Sequence, residues 1–287
     1  MSPESANKSR KSSGMELPLQ TLQLFVHHTN KQIVSCTNMP RTKIPDLIWL
    51  RPQPNDRRPR FSREQITAAA LKVAATEGFH AVTMKRIAQE LDCSTMALYY
   101  YVRTKADIVA LMHDAILAEL LLPQLPANWR QAVCAIARRT RDVLLCHPWS
   151  IASFHDAQFG PNAMRHVEQS LAALDPLKLR RKDKLTLWAI VDAYVFGSAV
   201  RTAASLARMA ASKHNPALLA DAKAFTRQQL ATGQFPRLAS FEPAGPLQDQ
   251  FAPTRKAAQH RTAALAAQFE KGLHAILDGL VVSMHLR

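Results

Sequence analysis

Apolar residues between positions 61 and 120 recur at three- and four-residue spacings, which is typical of short amphipathic helices. The apolar face of the first stretch would consist of Ile66, Ala69, Ala70, Val73 and Ala74. Ser62-Arg63-Glu64-Gln65 is a capping box that would begin this helix, and Gly78 would end it. A second stretch has one apolar side, formed by Ile87, Ala88 and Leu91. The pattern predicts two helices, the second with Thr83 as its N-cap.

The residues after Leu91 predict a tight polar turn and a third short helix. Ser94 and Thr95 are candidate caps, and Met96 to Val102 would form about two turns with Leu98 and Val102 facing inward. The outer face would present Thr95, Ala97, Tyr99 and Tyr100. These side chains can approach base edges and phosphates, so the pattern favours a helix-turn-helix that inserts its second helix into the major groove of DNA. A helical hairpin in an unrelated all-α core would give the same spacing.

A fourth helix is predicted to begin at Thr104-Lys105-Ala106-Asp107, which is a second capping box. Lys105 would lie in its first turn, next to backbone N–H groups that have no partner within the helix. This position suits a phosphate contact.

From Phe61 to about Leu120 the chain resembles the DNA-binding domain of the TetR family of bacterial transcriptional regulators. The matching segments are an alanine-rich helix ending in EGF, then VTMKRIAQEL, STMALYYYV and TKADIVALM. The resemblance implies base contacts by Thr95, Met96 and Ala97, and phosphate contacts by Thr83, Tyr99, Tyr101 and Lys105. Ser94 and Tyr100 complete the predicted DNA-binding set. Relatives often carry a basic residue and a histidine or phenylalanine at positions 100 and 101, which leaves the operator sequence open.

The net charge of +15 implies an anionic partner, and its distribution along the chain qualifies this conclusion. Residues 1–60 hold ten Lys/Arg against four Asp/Glu, whereas residues 61–110 hold six against five. Phosphate contacts of the helix-turn-helix must therefore come from a few placed groups. Residues 1–58, with prolines at 40, 45, 52 and 54, are predicted to be a disordered basic arm that adds non-specific affinity for DNA. Alternatively, Met39 is the natural start.

The remaining residues predict a second helical domain over 121–287, after a helix-turn-helix domain over 59–120. Asn128 to Cys146 is amphipathic, and Phe159-Gly160-Pro161-Asn162 predicts a turn before another helix. The segments HPW, GPNAMRHVEQSLAAL and DAYVFGSAV resemble the C-terminal domain of the tetracycline-repressor branch of the TetR family. The whole chain is thus expected to be all-α: an N-terminal three-helix helix-turn-helix domain and a C-terminal helical ligand-binding and dimerisation domain.

Two long helices are candidates for a homodimer interface, because this branch dimerises through a four-helix bundle. Lys182 to Ala211 carries Gly197-Ser198-Ala199 at its centre, where small side chains let helices approach closely. Ala257 to His285 places Phe269, Leu273, Ile276 and Leu280 in a seam suited to a neighbouring helix. The alternative is that both are ordinary core helices of a monomer.

The middle helices are expected to enclose a pocket for a small apolar or aromatic effector. The candidate ligand-binding residues are Trp149, Phe154, Phe159, Met164, Trp188 and Tyr194, with His147, His155 or His166 as polar anchors. Aromatic residues at helical spacing are also what an ordinary core contains. Tetracycline-type relatives bind their ligand with magnesium, but no matching histidine and carboxylate set is visible, so we expect no metal and no cofactor.

Other functional classes find less support in the sequence. No G-x-S-x-G, G-x-G-x-x-G, G-x-x-x-x-G-K-[ST] or H-E-x-x-H motif is present, so we expect neither an enzyme nor catalytic residues. Neither a signal peptide nor a stretch of eighteen apolar residues occurs, so we expect a cytoplasmic protein without membrane contacts. The sequence favours a ligand-responsive repressor that binds a palindromic operator as a homodimer. The alternative is a non-specific architectural DNA-binding protein.

Overall fold

The computed structural model describes residues 47–51, 61–152, 159–240 and 255–286, and within these ranges it contains eleven α-helices and no strand. The first four α-helices are α1 (Arg63–Glu77), α2 (Met84–Glu90), α3 (Thr95–Tyr99) and α4 (Lys105–Ala118). The others are α5 (Trp129–Cys146), α6 (Pro148–Ala152), α7 (Pro161–Ala172), α8 (Arg181–His214), α9 (Pro216–Ala231), α10 (Pro236–Ala239) and α11 (Arg255–Ser283). The all-α prediction is confirmed. Of the helices described, none has the length and apolar character that a membrane span requires.

Local capping determines where the first helices begin and end, as the sequence predicted. The Ser62 hydroxyl accepts a hydrogen bond from Gln65 N at 3.2 Å, and Gln65 Oε1 accepts one from Ser62 N at 2.9 Å. Gly78 ends α1 with φ of 89°, a left-handed conformation that glycine adopts without steric cost. Thr83 and Ser94 cap α2 and α3. The third helix is shorter than predicted, because it ends at Tyr99 rather than at Val102.

The core of the N-terminal domain lies between α1, α2, α3 and α4. Ile66, Ile87, Leu98, Val102 and Ile108 are all fully buried there. Leu98 and Val102 face inward as predicted, so the short third helix is held by apolar contacts on one side only. Its other side is left facing outward.

Residues Leu47–Arg51 pack against this domain, although the predicted disordered arm extends to residue 58. Ile48 is fully buried, and Arg63 donates hydrogen bonds to the carbonyl oxygens of Ile48 at 3.2 Å and Arg51 at 3.0 Å. The Arg51 guanidinium pairs with the Asp107 carboxylate at the start of α4. One buried apolar side chain and these polar contacts give the five residues a defined position. The other residues of the predicted arm lie outside the described ranges.

Helices α5, α8 and α11 form the second core. Phe269, Leu273 and Leu277 of α11 are fully buried against α5 and α8 residues such as Ala132, Leu187 and Val195. The predicted seam of α11 therefore faces the core of its own chain rather than a second subunit. The physical reason is that three long helices of one chain already bury this apolar stripe.

The Arg51–Asp107 ion pair generates a stability prediction. Burial opposes ionisation of Asp107, but Arg51 and the backbone N–H groups of Arg103 and Thr104 outweigh it and hold the pKa of the carboxyl below its usual value. Arg51→Met leaves this carboxylate without its cation, so we expect the free energy of unfolding at pH 7 to fall by about 3 kcal/mol, the low end for breaking a buried pair. Urea unfolding of the two proteins measures the difference.

The pH dependence of this difference follows from the lowered pKa. Stabilisation by a carboxyl of depressed pKa is complete above its unfolded value, about 4, and is lost as pH falls through the folded value. The difference in free energy of unfolding between the natural protein and Arg51→Met should therefore become smaller below about pH 4. Lys72→Met is the control, because the Lys72–Glu90 pair at 2.5 Å is exposed on the lysine side and should contribute at most about 1 kcal/mol. Equal losses in both variants would contradict the assigned role of Arg51.

Candidate DNA-reading surface and effector cavity

The outer face of α3 carries three large exposed side chains. Met96 is 77% exposed, Tyr99 47% and Tyr100 56%. Ser94 precedes them at the N-cap, where its hydroxyl accepts a hydrogen bond from Ala97 N at 3.2 Å. All three side chains remain largely outside the core, although the Tyr100 ring meets the Tyr101 ring edge-on, with ring centres 5.4 Å apart. They form a surface that can meet the edges of bases and the phosphates of a groove.

The other predicted DNA contacts flank this surface at helix starts. Thr83 is exposed, and its hydroxyl accepts a hydrogen bond from Arg86 N at 3.1 Å. Lys105 is exposed in the first turn of α4, with its Nζ 5.5 Å from the centre of the Phe79 ring. Thr95 and Ala97 are half-buried. The predicted residues thus lie exposed or half-buried on or beside α3 and at the starts of α2 and α4, with one exception.

Tyr101 is that exception, because its ring lies in the core and only 6% of the residue is exposed. Its hydroxyl accepts a hydrogen bond from Phe61 N at 3.3 Å, and its ring meets the Phe61 ring edge-on. The predicted phosphate contact of Tyr101 is therefore corrected to a structural role. Three consecutive tyrosines at the end of a helix cannot all face outward, and the one that follows Tyr100 turns inward toward α1.

The charges on this domain are largely paired with one another. Arg86 contacts Glu77 at 2.7 Å and Glu90 at 2.8 Å, and these hydrogen bonds raise its pKa. Lys85 and Arg103 are exposed, and Arg103 occupies the turn between α3 and α4. Arg103 was not among the predicted DNA contacts, although it lies two positions before Lys105 in the turn after α3.

A cavity of about 30 Å³ lies between α5, α7 and α8. Its lining is mainly apolar and comprises Val133, Ile136, Ala137, Thr140, His166, Ser170, Leu174, Leu187, Trp188, Val191, Asp192 and Val195. A volume of about 30 Å³ holds about two water molecules, so a larger ligand has to move the surrounding helices apart. Helix α7 is the shortest of the three.

The polar groups of the cavity are incompletely satisfied. His166 is 92% buried, from a relative exposure of 8%, and its Nδ1 atom has no hydrogen-bond partner. Burial lowers the pKa of His166 and raises the pKa of Asp192. No described residue forms an ion pair or hydrogen bond with the Asp192 carboxylate. The Ser170 hydroxyl, in contrast, donates to the carbonyl oxygen of His166 at 2.8 Å.

Among the predicted ligand-binding aromatics that the structure describes, Trp188 alone lines this cavity. Trp149 stacks on Phe79 with ring centres 5.0 Å apart and meets His113 edge-on, so it packs against the DNA-binding domain. Tyr194 stacks on Phe269 and donates a hydrogen bond to the Phe269 carbonyl oxygen at 2.9 Å. Both are core residues rather than lining residues.

The other residues predicted to bind the ligand lie away from this cavity or outside the described residues. Phe159 and Met164 are 65% and 61% exposed and do not reach the cavity. Phe154 and His155 lie outside the described residues. Of the proposed polar anchors, His147 contacts Glu119 at 3.1 Å, whereas His166 lines the cavity. The apolar residues on α5 and the carboxyl of Asp192 were not predicted.

Asp114 connects the cavity wall to the DNA-binding domain. It lies on α4, and its Oδ1 atom accepts hydrogen bonds from the backbone N–H groups of Asn162 at 2.9 Å and Ala163 at 3.3 Å. The Asn162 amide also donates to Asp114 Oδ2 at 2.9 Å and to the Asp114 carbonyl oxygen at 3.1 Å. A methyl group at Gly160 would collide with the Asp114 carboxylate, so glycine permits this approach. The helix that carries His166 is thus bonded directly to α4.

Comparison with known proteins agrees with this architecture. Residues 66–112 match the family model described as "Bacterial regulatory proteins, tetR family". Residues 122–284 match the model described as "Tetracyclin repressor-like, C-terminal domain", which covers more than half of the chain. The family model of the C-terminal domain therefore includes α5, α7 and α8, whose residues form the cavity.

Two relatives and one solved structure extend the comparison. The chain is 30% identical over 253 residues to the "HTH-type transcriptional repressor DrrR1" of Streptomyces coeruleorubidus, covering 83% of this chain and 84% of that protein. It is 34% identical over 157 residues to an "HTH-type transcriptional regulator" of Saccharopolyspora erythraea, covering 54% of this chain and 66% of that protein, just under two thirds. ActR of Streptomyces coelicolor in complex with actinorhodin has the same fold, with a TM-score of 0.58, 24% identity and coverage of 78% and 98%. The chain belongs to the TetR family of bacterial transcriptional regulators.

Proposed function

We propose that this chain is a ligand-responsive repressor that binds a palindromic operator as a homodimer and is released from it by a small effector. The observation that carries the proposal is the path from α3 through α4 to α7. The exposed surface of α3, from Ser94 to Tyr100, is called the reading surface below. Helix α4 and the hydrogen bonds of Asp114 join this surface to the cavity. A non-specific DNA-binding protein has no need of this connection.

The reading surface supports base-specific contacts by Thr95, Met96 and Ala97, and phosphate contacts by Thr83, Tyr99 and Lys105. Met96 and Tyr99 are exposed on α3, while Leu98 anchors that helix from below. Ser94 and Tyr100 lie at either end of α3 and complete the surface. Because α3 is held by the core on one side, its outer face can enter a groove without unfolding.

Dimerisation is supported by a stripe of small and apolar residues on the outer side of α8. Leu185, Ala189, Ala193, Gly197, Val200 and Ala204 are all exposed along this helix, and they recur every three or four residues. A methyl group at Gly197 would meet no atom within 4 Å. An apolar stripe of this length on a long helix is typical of a contact with another helix. The dimer would hold two reading helices in the two-fold arrangement of a palindrome.

Release by an effector is supported by the size of the cavity and by the contacts of α7. An effector larger than about two water molecules must displace a wall of the cavity. A shift of α7 acts on Asp114 and therefore on α4, whose first turn follows the reading helix. The effector then lowers the affinity for DNA because it binds the displaced arrangement more tightly.

The +15 net charge favours one competing function, a non-specific architectural DNA-binding protein. Such a protein would bind all DNA sequences with similar affinity and with a steep dependence on salt. The following measurement distinguishes the two functions.

We expect the protein to bind a fragment of the DNA upstream of its own gene at least about a thousandfold more tightly than a scrambled fragment at physiological salt. Fluorescence anisotropy of labelled fragments measures both affinities. Tyr99→Ala and Lys105→Ala each remove one proposed contact and should weaken binding to the upstream fragment, with unchanged thermal unfolding. Equal affinity for both fragments would support the architectural protein instead.

The matched control is Lys178→Ala, which removes an exposed lysine from the C-terminal domain. It lowers the net charge by the same amount as Lys105→Ala. Loss of affinity in both lysine variants to the same extent would mean that total charge, rather than the position of Lys105, determines binding.

The dimer proposal predicts that Ala193→Glu produces monomers. A carboxylate in the middle of the α8 stripe would be buried without a partner in the dimer but would be solvated in the monomer. Sedimentation equilibrium should give the mass of one chain rather than two, and affinity for the operator should fall. Ala172→Glu, at an exposed position at the end of α7, should remain dimeric. A dimeric Ala193→Glu variant would contradict an interface on this face of α8.

A further inference from the structure

The charges around the cavity between α5, α7 and α8 indicate which ligands it can accept. Asp192 is its one acidic lining residue, and no lysine or arginine lines the cavity in the described part of the chain. The other polar side chains are Thr140, His166 and Ser170. An anionic ligand would therefore meet a carboxylate and no compensating cation.

The Asp192 carboxyl is half-buried in an apolar setting and has no ion-pair or hydrogen-bond partner among the described residues. Ile136, Val191 and Val195 belong to the same lining, and burial alone raises the pKa of Asp192. An ionised carboxylate in such a place is stabilised when a donor, above all a cationic one, bonds to it. The described residues provide none, so the missing donor is a group that a ligand could supply.

Two neighbouring side chains are compatible with a cationic ligand. The Trp188 ring lines the cavity, and the face of an indole attracts cations and packs against flat apolar groups. His166 is 92% buried with Nδ1 unpartnered, and burial lowers its pKa, so it stays neutral at pH 7 and does not repel a cation. Its free ring nitrogen can bond to a second polar group of the ligand.

The geometry points to an apolar, ring-containing molecule with one protonated amine as the effector of this protein, with Asp192 as the counter-ion of the amine. This inference rests on the proposed role of the cavity as the effector site. The apolar residues of α5 and α8 contact the rings, Trp188 stacks on them, and His166 Nδ1 bonds to a hydroxyl or carbonyl group. Neutral analogues bind less tightly, and acidic analogues bind least.

Three dansyl probes with the same five-carbon chain test this order. Dansylcadaverine ends in a protonated amine, N-pentyl dansylamide is neutral, and dansyl-6-aminohexanoic acid ends in a carboxylate. Dansyl fluorescence reports transfer from water to an apolar site, so titration of each probe with the full-length protein gives its dissociation constant. We expect the cation to bind roughly tenfold to a hundredfold more tightly than the neutral probe, as for a hydrogen bond to a charged group.

Asp192→Asn should abolish this preference, so that the cationic probe binds with the affinity of the neutral one. The neutral probe should bind the variant as it binds the natural protein, which also verifies that the cavity is intact. Asparagine has the shape of aspartate, and the change removes a carboxylate without a partner, so thermal stability should not decrease. Asp183→Asn is the matched control on α8, because Asp183 pairs with Arg180 at 2.7 Å on the surface.

Any of three results would overturn the inference: no binding of the cationic probe up to its solubility limit, tighter binding of the acidic probe, or a cation preference that survives Asp192→Asn. The titrations contain no DNA. A negative result in the probe titrations therefore does not affect the test of operator binding by anisotropy. A negative result in the anisotropy assay, in turn, leaves the ligand preference measurable.

Discussion

The hydrogen bonds between Asp114 and the start of α7 are the constraint on which the arrangement of the two domains depends. They use both carboxylate oxygens and two consecutive backbone N–H groups, so α7 cannot turn or slide without breaking several bonds together. Burial raises the pKa of Asp114, while the N–H groups of Asn162 and Ala163 favour its ionised form. The carboxylate stabilises the first turn of α7, where N–H groups have no partner within the helix.

Two aspartates of α4, Asp107 and Asp114, bond to the segments that pack against this helix. At its start, Asp107 accepts hydrogen bonds from the N–H groups of Arg103 at 2.8 Å and Thr104 at 3.1 Å, and it pairs with Arg51. Toward its end, Asp114 bonds to α7. The two aspartates lie seven residues apart, so they share one face of the helix. In the release mechanism that we propose, this helix transmits a displacement of the cavity wall to the turn that follows α3.

The sequence predicted those features that depend on neighbouring residues. Ser62, Thr83, Ser94 and Thr104 all cap the helices expected of them, because a capping hydroxyl bonds to an N–H group three residues away. The buried positions of α1 and α3 followed from helical spacing for the same reason. Resemblance to a known family then predicted which side chains contact DNA, and one of these, Tyr101, is buried.

What the sequence by itself determined, then, is the family, the main helices and the caps at which the first helices begin, since a cap depends on contacts within a few residues. Tertiary structure decided which aromatic residues face a cavity: Trp149 and Tyr194 pack in cores, whereas Trp188 lines the cavity. It also brought His166 and Asp192 to one cavity from helices α7 and α8. Helical spacing shows that a side chain faces inward but not which neighbour it meets, because that depends on how distant helices pack.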